Sequence, residues 1–297
     1  MSLRFRGLPA LALLSVTSLT ALVACAPQED AAGPAATTSP SATQSADACA
    51  KESLQTKSAG TLTIATDKPA YAPWFVDDDP ANGKGFEGAV AAAVAEQLGF
   101  SADEVTWVST RFDAAIAPGP KNFDFDINQF SITEERKKAV DFSSPYYDVS
   151  QAVIAVKGTD GAKAASLADL KGLKIGAQVG TTSYDAIVST IQPSSKPAVY
   201  NTNDDAKKAL ENGQIDAMVT DLPTAFYISG VELDGGVIVG QLEQSGGTPE
   251  QFALVLDKGS PLTTCVSAAV AALRQDGTLD QIEQEWLADV AGAPVLK

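Results

Sequence analysis

The chain has 297 residues, with 21 Lys and Arg against 37 Asp and Glu, three Cys and no His. Its net charge of −16 argues against nucleic-acid binding, which requires clustered Lys and Arg for phosphate contacts. The absence of His excludes Ser-His-Asp and Cys-His catalysis and His-ligated zinc. The length suits about two domains, and 45% apolar with 20% charged residues is typical of a globular protein.

The first 24 residues predict an export signal. Arg4 and Arg6 precede an apolar run that ends in small residues, which is the order of a secretory signal peptide. Ser and Thr residues interrupt this run, so a permanent transmembrane anchor is the less favoured alternative.

The apolar run ends at Leu22, Val23, Ala24 and Cys25, and this ending resembles the bacterial lipobox. The resemblance implies cleavage before Cys25 and attachment of lipid to its sulfur and its new amine. Residues 26–48 are mostly Ala, Ser, Thr and Pro, a composition that favours a disordered tether. We therefore assign residues 1–24 to the signal and 25–59 to a lipidated tether, with several acyl chains giving stable membrane anchoring.

Two cysteines are left after Cys25 is assigned to lipid. Cys49 precedes the folded part, and Cys265 lies near the start of a predicted C-terminal helix. Exported proteins meet an oxidising environment in which disulfides persist. We expect a Cys49–Cys265 disulfide that fixes the N-terminal segment, and the alternative is two unpaired thiols.

From residue 60 the sequence alternates strand-like and helix-like segments. The β-rich or apolar runs lie at 61–65, 105–108, 123–130, 151–156, 173–179, 198–200, 215–220 and 252–256. The helical patterns lie at 88–98, 184–191, 204–212, 261–274 and 279–290. This alternation predicts an α/β protein with mostly parallel sheets.

The order of these segments predicts two lobes. A middle α/β unit, residues 153–254, is inserted into a first unit formed by 60–152 and 255–297. The extended runs 151–156 and 252–256 enter and leave the inserted unit, so they predict two hinge strands between the lobes.

Several motifs occur in a fixed order along this part of the chain. They are at residues 61–67, 71–73, 85–88, 131–143, 144–147, 180–182 and 219–223. Together they resemble the family 3 solute-binding proteins, the polar amino-acid receptors of ABC importers. The resemblance runs from about residue 60 to the C-terminus and implies a two-lobe, periplasmic-binding-protein-like (type II) fold.

The resemblance implies a site for the two charged ends of an α-amino acid. Arg136 would bind the ligand carboxylate through its planar fork. The backbone amide of Thr182, at a strand-to-helix turn, would complete that clamp. Asp221 would pair with the ammonium, helped by the Ser131 hydroxyl and the Gln129 carbonyl. The alternatives are a surface Arg136, a plain capping Thr182 and a helix-capping Asp221.

The side-chain pocket is less readable from the sequence. By resemblance, the residues lining it are Asp67, Tyr71, Trp74, Phe112 and Asn128. Tyr71 and Phe112 could sandwich a flat or cationic group, although each aromatic could instead be a core residue. Asp67 could receive a basic side chain and Arg111 an acidic one, so the charge of the ligand side chain stays open.

The leading interpretation is a lipid-anchored receptor on the outer face of the bacterial cell membrane. It would bind a polar amino acid and deliver it to ABC permease subunits, acting as a monomer without cofactor, metal or nucleic acid. The alternative is a hydrolase- or dehydratase-like enzyme on the same scaffold, with Asp67 and Glu87 as paired carboxylates. The amino-acid clamp favours binding over turnover, and Glu87 would more simply cap its helix.

Overall fold

A computed structural model describes residues 48–243, 249–288 and 292–297. The predicted signal peptide, residues 1–24, and the predicted lipidation site, Cys25, lie outside these residues. No helix in the described ranges combines the length and apolar character needed to cross a membrane.

The described residues form 13 strands and eight α-helices. The strands are β1 Leu62–Thr66, β2 Val105–Ser109, β3 Phe125–Asp126, β4 Val140–Phe142, β5 Tyr147–Val149, β6 Gln151–Val156, β7 Ile175–Gln178, β8 Ala198–Tyr200, β9 Ala217–Asp221, β10 Gly236–Leu242, β11 Glu250–Phe252, β12 Val255–Asp257 and β13 Val295–Leu296. The α-helices are α1 Phe86–Gln97, α2 Phe112–Ile116, α3 Leu167–Leu170, α4 Thr182–Ala186, α5 Asn203–Glu211, α6 Leu222–Tyr227, α7 Thr263–Gln275 and α8 Thr278–Trp286.

The first lobe is built on a five-stranded sheet in the order β2-β1-β3-β12-β4. Strand β1 is parallel to β2 and β3, whereas β12 runs antiparallel to β3 and β4. Side chains of β1 enter a cluster on each face, since Leu62 and Ile64 pack with α1, α7 and α8 while Ala65 packs with Phe112 and Phe130. A strand covered on both faces is expected to be buried along its whole length, as β1 is.

The second lobe is built on a six-stranded sheet in the order β13-β10-β6-β9-β7-β8. Strands β7, β8 and β9 are parallel, and β6 is antiparallel to both β9 and β10. Neighbouring residues of β6 point to opposite faces, with Ala152 and Ile154 in one apolar cluster and Val153 in the other.

Strands β5 and β11 connect the lobes, and the predicted hinge runs do not, because 151–156 forms β6 inside the second-lobe sheet and 255–256 lies in β12 of the first-lobe sheet. Strand β5 pairs with β11 in a separate two-stranded sheet, with Val149 opposite Glu250 and Tyr147 opposite Phe252. After β5, only Ser150 precedes β6 of the second lobe. The connection is therefore a narrow pair of extended segments, which is the geometry of a hinge.

Some local features differ from the sequence-based expectation. The run 123–130 forms only the two-residue strand β3. The Asp124 carboxylate that precedes β3 accepts from the backbone amides of Lys57 and Thr63, at 2.7 Å each. The run 252–256 divides into β11 and β12. The lobe boundaries stay a prediction, but β13, which they place in the first lobe, pairs with β10 of the second.

The disulfide prediction is confirmed. Cys49 and Cys265 are bonded, and the bond joins positions 216 residues apart. Residues 48–59, which we had assigned to the tether, pack on the first lobe through Cys49 and Leu54 and through an ion pair of Lys51 with Glu104 at 2.5 Å. On the chain-entropy model, closing so long a loop stabilises the fold by about 5 kcal/mol.

Candidate functional site

A cavity lies where parallel strands of both sheets end. Its walls come from segments that follow β1, β2 and β3 in the first lobe and β7, β8 and β9 in the second. The lining residues are Asp67, Lys68, Pro69, Tyr71, Phe112, Asn128, Gln129, Arg136, Gln178, Thr181, Thr182, Ser183, Thr202, Asn203, Asp204 and Asp221. Polar groups at the carboxyl edge of parallel strands are the usual ligand contacts of open α/β sheets.

Arg136 is buried and lies between the lobes, which contradicts its alternative as a surface residue. Only 8% of its surface is exposed. Its guanidinium donates to the carbonyl of Ser131 at 2.7 Å in the first lobe and to that of Gly180 at 2.9 Å in the second. Burial lowers the pKa of Arg136, opposed by the nearby Glu250 and Asp221. The charge is thus held in the cavity wall by dipoles from both lobes.

Phe112 contacts the guanidinium of Arg136 and also lines the cavity. The guanidinium lies 5.4 Å from the centre of the Phe112 ring, a cation–π contact. The ring also stacks on Phe130, with centres 4.8 Å apart. Tyr71 and Phe112 both line the cavity, and the sandwich of a ligand between them stays a prediction.

Thr182 begins a short helix after β7. Gly180 adopts a positive φ of 74°, the left-handed conformation that glycine adopts at little cost. Thr181 is the capping residue, since its hydroxyl accepts from the amide of Tyr184 at 3.4 Å. The capping alternative raised for Thr182 therefore belongs to Thr181, and the hydroxyl of Thr182 donates to Glu250.

Asp221 ends β9 and precedes α6. Within the described residues, its side chain makes no capping hydrogen bond to that helix. Its carboxylate accepts instead from the side-chain amide of Gln151 at 2.7 Å. Burial and the neighbouring Glu250 hold the pKa of Asp221 well above its usual range, so a cation bound there would offset a considerable desolvation penalty.

Gln129 lies on the first-lobe wall in the left-handed conformation, with φ 49°. Its backbone amide donates to Glu87 at 2.7 Å, and its side-chain amide also donates to Glu87. Such a conformation is uncommon for a residue with a side chain, and these two bonds compensate for it. Glu87 therefore positions Gln129 and does not serve as a simple helix cap.

Glu87 is fully buried in the first turn of α1, and it also accepts from the hydroxyl of Tyr146. Burial raises its pKa to about 7, against the hydrogen bonds from Tyr146 and Gln129. Gly85 lets this turn lie against the backbone of Trp74, since a Cβ there would lie 2.5 Å from the carbonyl oxygen of Trp74.

Asp126 is also buried in the first lobe. Neither of its carboxylate oxygens has a hydrogen-bond partner among the described residues.

Two predicted site residues do not line the cavity. Trp74 is only 1% exposed and packs edge-on against Phe86, Tyr147 and Phe252, which makes it a core residue. Its indole donates to the hydroxyl of Thr224 in the second lobe at 2.9 Å. Ser131 is also buried, and its hydroxyl donates to Glu250 behind the cavity wall.

The side-chain part of the cavity is polar. Asp67 is oriented by the amides of Lys68 at 2.7 Å and Phe112 at 3.1 Å. The hydroxyl of Tyr71, in the first lobe, accepts a hydrogen bond from the side-chain amide of Asn203, in the second lobe, at 3.0 Å. Arg111 does not line this cavity, because it is 70% exposed and paired with Asp113. Asn128 lines the cavity as predicted.

Sequence reasoning missed several polar residues of the site. These are Gln151, Gln178, Thr202, Asn203, Asp204 and Glu250. Gln151 begins β6 and lies in the predicted run 151–156, whereas Glu250 begins β11 and lies outside the predicted run 252–256, so no sequence signal pointed to it.

The arrangement presents one buried cation and one half-buried acid in the same cavity, contributed by different lobes. Arg136 comes from the first lobe and Asp221 from the second. Such a pair suits a small molecule that carries a negative and a positive group close together.

Comparison with known proteins identifies the class. Residues 62–289 match the model of the bacterial extracellular solute-binding proteins, family 3, so the chain belongs to this family. Its role is binding and not catalysis, since the named relatives are binding proteins.

Three relatives show how far the likeness extends. The L-cystine-binding protein TcyJ of Escherichia coli K12 is 30% identical over 81% of this chain and 86% of its own length. The L-arginine-binding protein of Pseudomonas aeruginosa is 29% identical over 78% of this chain and 93% of its own. The solved structure of an ancestral arginine-binding protein bound to glutamine has a TM-score of 0.64 and 34% identity, over 76% of this chain and 97% of its own.

Glu87 should make the stability of the protein depend on pH. Its pKa of about 7 in the folded state exceeds the unfolded value, so the folded protein retains a proton that the unfolded chain releases. The free energy of unfolding should therefore fall as pH rises from about 4.5 to about 7, by about 3 kcal/mol from this group. Urea unfolding of the wild type and Glu87→Gln at pH 4.5, 6 and 8 measures this. Parallel curves for the two proteins would contradict it.

Proposed function

We propose that this protein binds a polar amino acid between its two lobes and delivers it to an ABC permease for import. The observation that carries this proposal is the placement of Arg136 and Asp221 on opposite walls of one cavity. The relatives named for cystine and arginine and the ancestral protein bound to glutamine support an amino acid as the ligand.

Each end of the ligand would contact both lobes. The carboxylate would be held by the Arg136 guanidinium and the backbone amide of Thr182, and the ammonium by Asp221 and the Gln129 carbonyl. A ligand satisfies both sets only when the lobes are closed. Closure is then selected by the contacts that the ligand makes in that state alone.

The side chain of the ligand would be an amide or a cation. Asp67 contributes an acid to that part of the cavity, with the amide groups of Asn128, Gln178 and Asn203 around it. Arg111, the predicted partner of an acidic side chain, lies outside it, whereas Lys68 lines it beside Asp67. Since a carboxylate repels a like charge in a site of low dielectric, Asp67 disfavours glutamate and aspartate as ligands.

The N-terminal sequence supports attachment to the membrane by lipid at Cys25. In this proposal, cleavage before Cys25 leaves a tether of mostly small residues that carries the protein on the outer face of the membrane. The mass of the protein extracted from membranes should equal that of residues 25–297 plus covalent lipid. Release of a Cys25→Ala variant into the soluble fraction would agree with this, and an unchanged membrane fraction would contradict it.

A thermal-shift screen against the twenty amino acids tests the ligand class. A ligand that binds only the folded state raises the unfolding temperature by mass action. Arginine, lysine and glutamine should raise it most, and glutamate and aspartate least. Saturating concentrations of every amino acid without any shift would contradict the proposal.

Replacing Arg136 tests the clamp. Arg136→Ala removes the cation and leaves the carboxylate of the ligand unpaired, so affinity measured by calorimetry should fall by at least about a hundredfold. Arg111→Ala is the matched control, because this exposed arginine pairs with Asp113 outside the cavity, and its affinity should equal that of the wild type. Equal affinities of the two variants would remove Arg136 from the site.

A further inference from the structure

The carboxylate of Glu250 lies between the two lobes. Glu250 is the first residue of β11 in the hinge. One of its oxygens accepts hydrogen bonds from the hydroxyls of Ser131, in the first lobe, and Thr182, in the second. These two hydroxyl oxygens are 3.3 Å apart. A single acid therefore ties together two groups that any opening of the cleft must separate.

The second oxygen of Glu250 connects this contact to the binding site. It accepts from the side-chain amide of Gln151 at 3.1 Å, and the same amide donates to Asp221 at 2.7 Å. Ser183 donates to the oxygen of Gln151 at 2.7 Å, which fixes the direction of that amide. The chain of bonds runs from the hinge to the acid on the second-lobe wall.

Glu250 acts from behind the ligand cavity and does not occupy it. Thr182 and Asp221 line that cavity, whereas Glu250 faces a separate cavity on the hinge side with Asp185 and Ser189. Its contacts also leave the site usable, since Glu250 binds the hydroxyl of Thr182 and leaves the backbone amide of Thr182 for a ligand.

We propose that Glu250 is a positioning residue that holds the two lobes closed from behind the cavity, by binding Ser131 of one lobe and Thr182 of the other. These hydrogen bonds form only when the lobes meet. Glu250 thereby raises the population of the closed form before ligand arrives. Its effect on ligand affinity rests on the proposed function, because that affinity scales with the fraction of protein that is competent to bind.

The first test needs no ligand. Small-angle X-ray scattering of the ligand-free protein, purified without its predicted signal and lipid, should give a larger radius of gyration for Glu250→Ala than for the wild type. Glu243→Ala is the matched control, since it removes the same charge from an exposed position on the rim of the same hinge-side cavity. Equal radii for Glu250→Ala and the wild type would overturn the proposal.

If Glu250→Ala does not fold, a second variant tests the same contact. Thr182→Val removes one of the two hydroxyl contacts and keeps the backbone amide, so its radius should also exceed that of the wild type. Glu250→Gln keeps a carbonyl oxygen for both hydroxyls and should restore much of the closure. Two results would contradict the proposed role of Glu250: a Glu250→Gln variant as open as Glu250→Ala, or a Thr182→Val variant as closed as the wild type.

Affinity for L-arginine as the probe gives the third measurement. Glu250→Ala should raise the dissociation constant by roughly tenfold and chiefly speed dissociation, because the closed form is depopulated. If the wild type does not bind amino acids, the scattering result still decides the role of Glu250. If the wild type binds but its radius of gyration equals that of Glu250→Ala, the proposed role of Glu250 is wrong and the proposed function stands.

Discussion

The burial of one positive charge between two lobes is the constraint on which the rest of this site depends. Arg136 lies almost out of water, and removing a guanidinium from water is costly unless other groups compensate. Carbonyls of Ser131 and Gly180 and the ring of Phe112 provide that compensation. Because Gly180 belongs to the other lobe, the environment of Arg136 is complete only in the closed form.

The same logic applies to the acids around the cleft. Glu87, Asp126 and Asp221 all have pKa values raised by burial, so the interior of this acidic protein holds carboxyls that resist ionisation. Specific hydrogen-bond donors partly offset this cost of burial. The backbone and side-chain amides of Gln129 donate to Glu87, and the side-chain amide of Gln151 donates to Asp221. A cation in the cavity would stabilise the ionised form of Asp221, which couples ligand charge to the protonation of the wall.

The sequence was a good guide to elements with a clear pattern and a poor guide to long-range contacts. The strands at 151–156 and 198–200 agree with the structure because a strand between turn residues has a local signature. The hydroxyl of Ser131 meets Glu250 at a separation of 119 residues, and no local pattern encodes such a pair. The burial of Trp74 could not be read from the sequence for a related reason, since an aromatic beside a binding motif has the same signature whether it faces the cavity or the core.

The Cys49–Cys265 bond also sets the path of mechanical load through the molecule. A pull on the N-terminal segment reaches Cys49 before β1, and the covalent bond passes that force to α7 at Cys265. The stretch from residue 50 to β1 then carries little tension, so β1 and the cavity wall that follows it are shielded. A protein held by its N-terminus could in this way open and close its lobes without working against its own attachment.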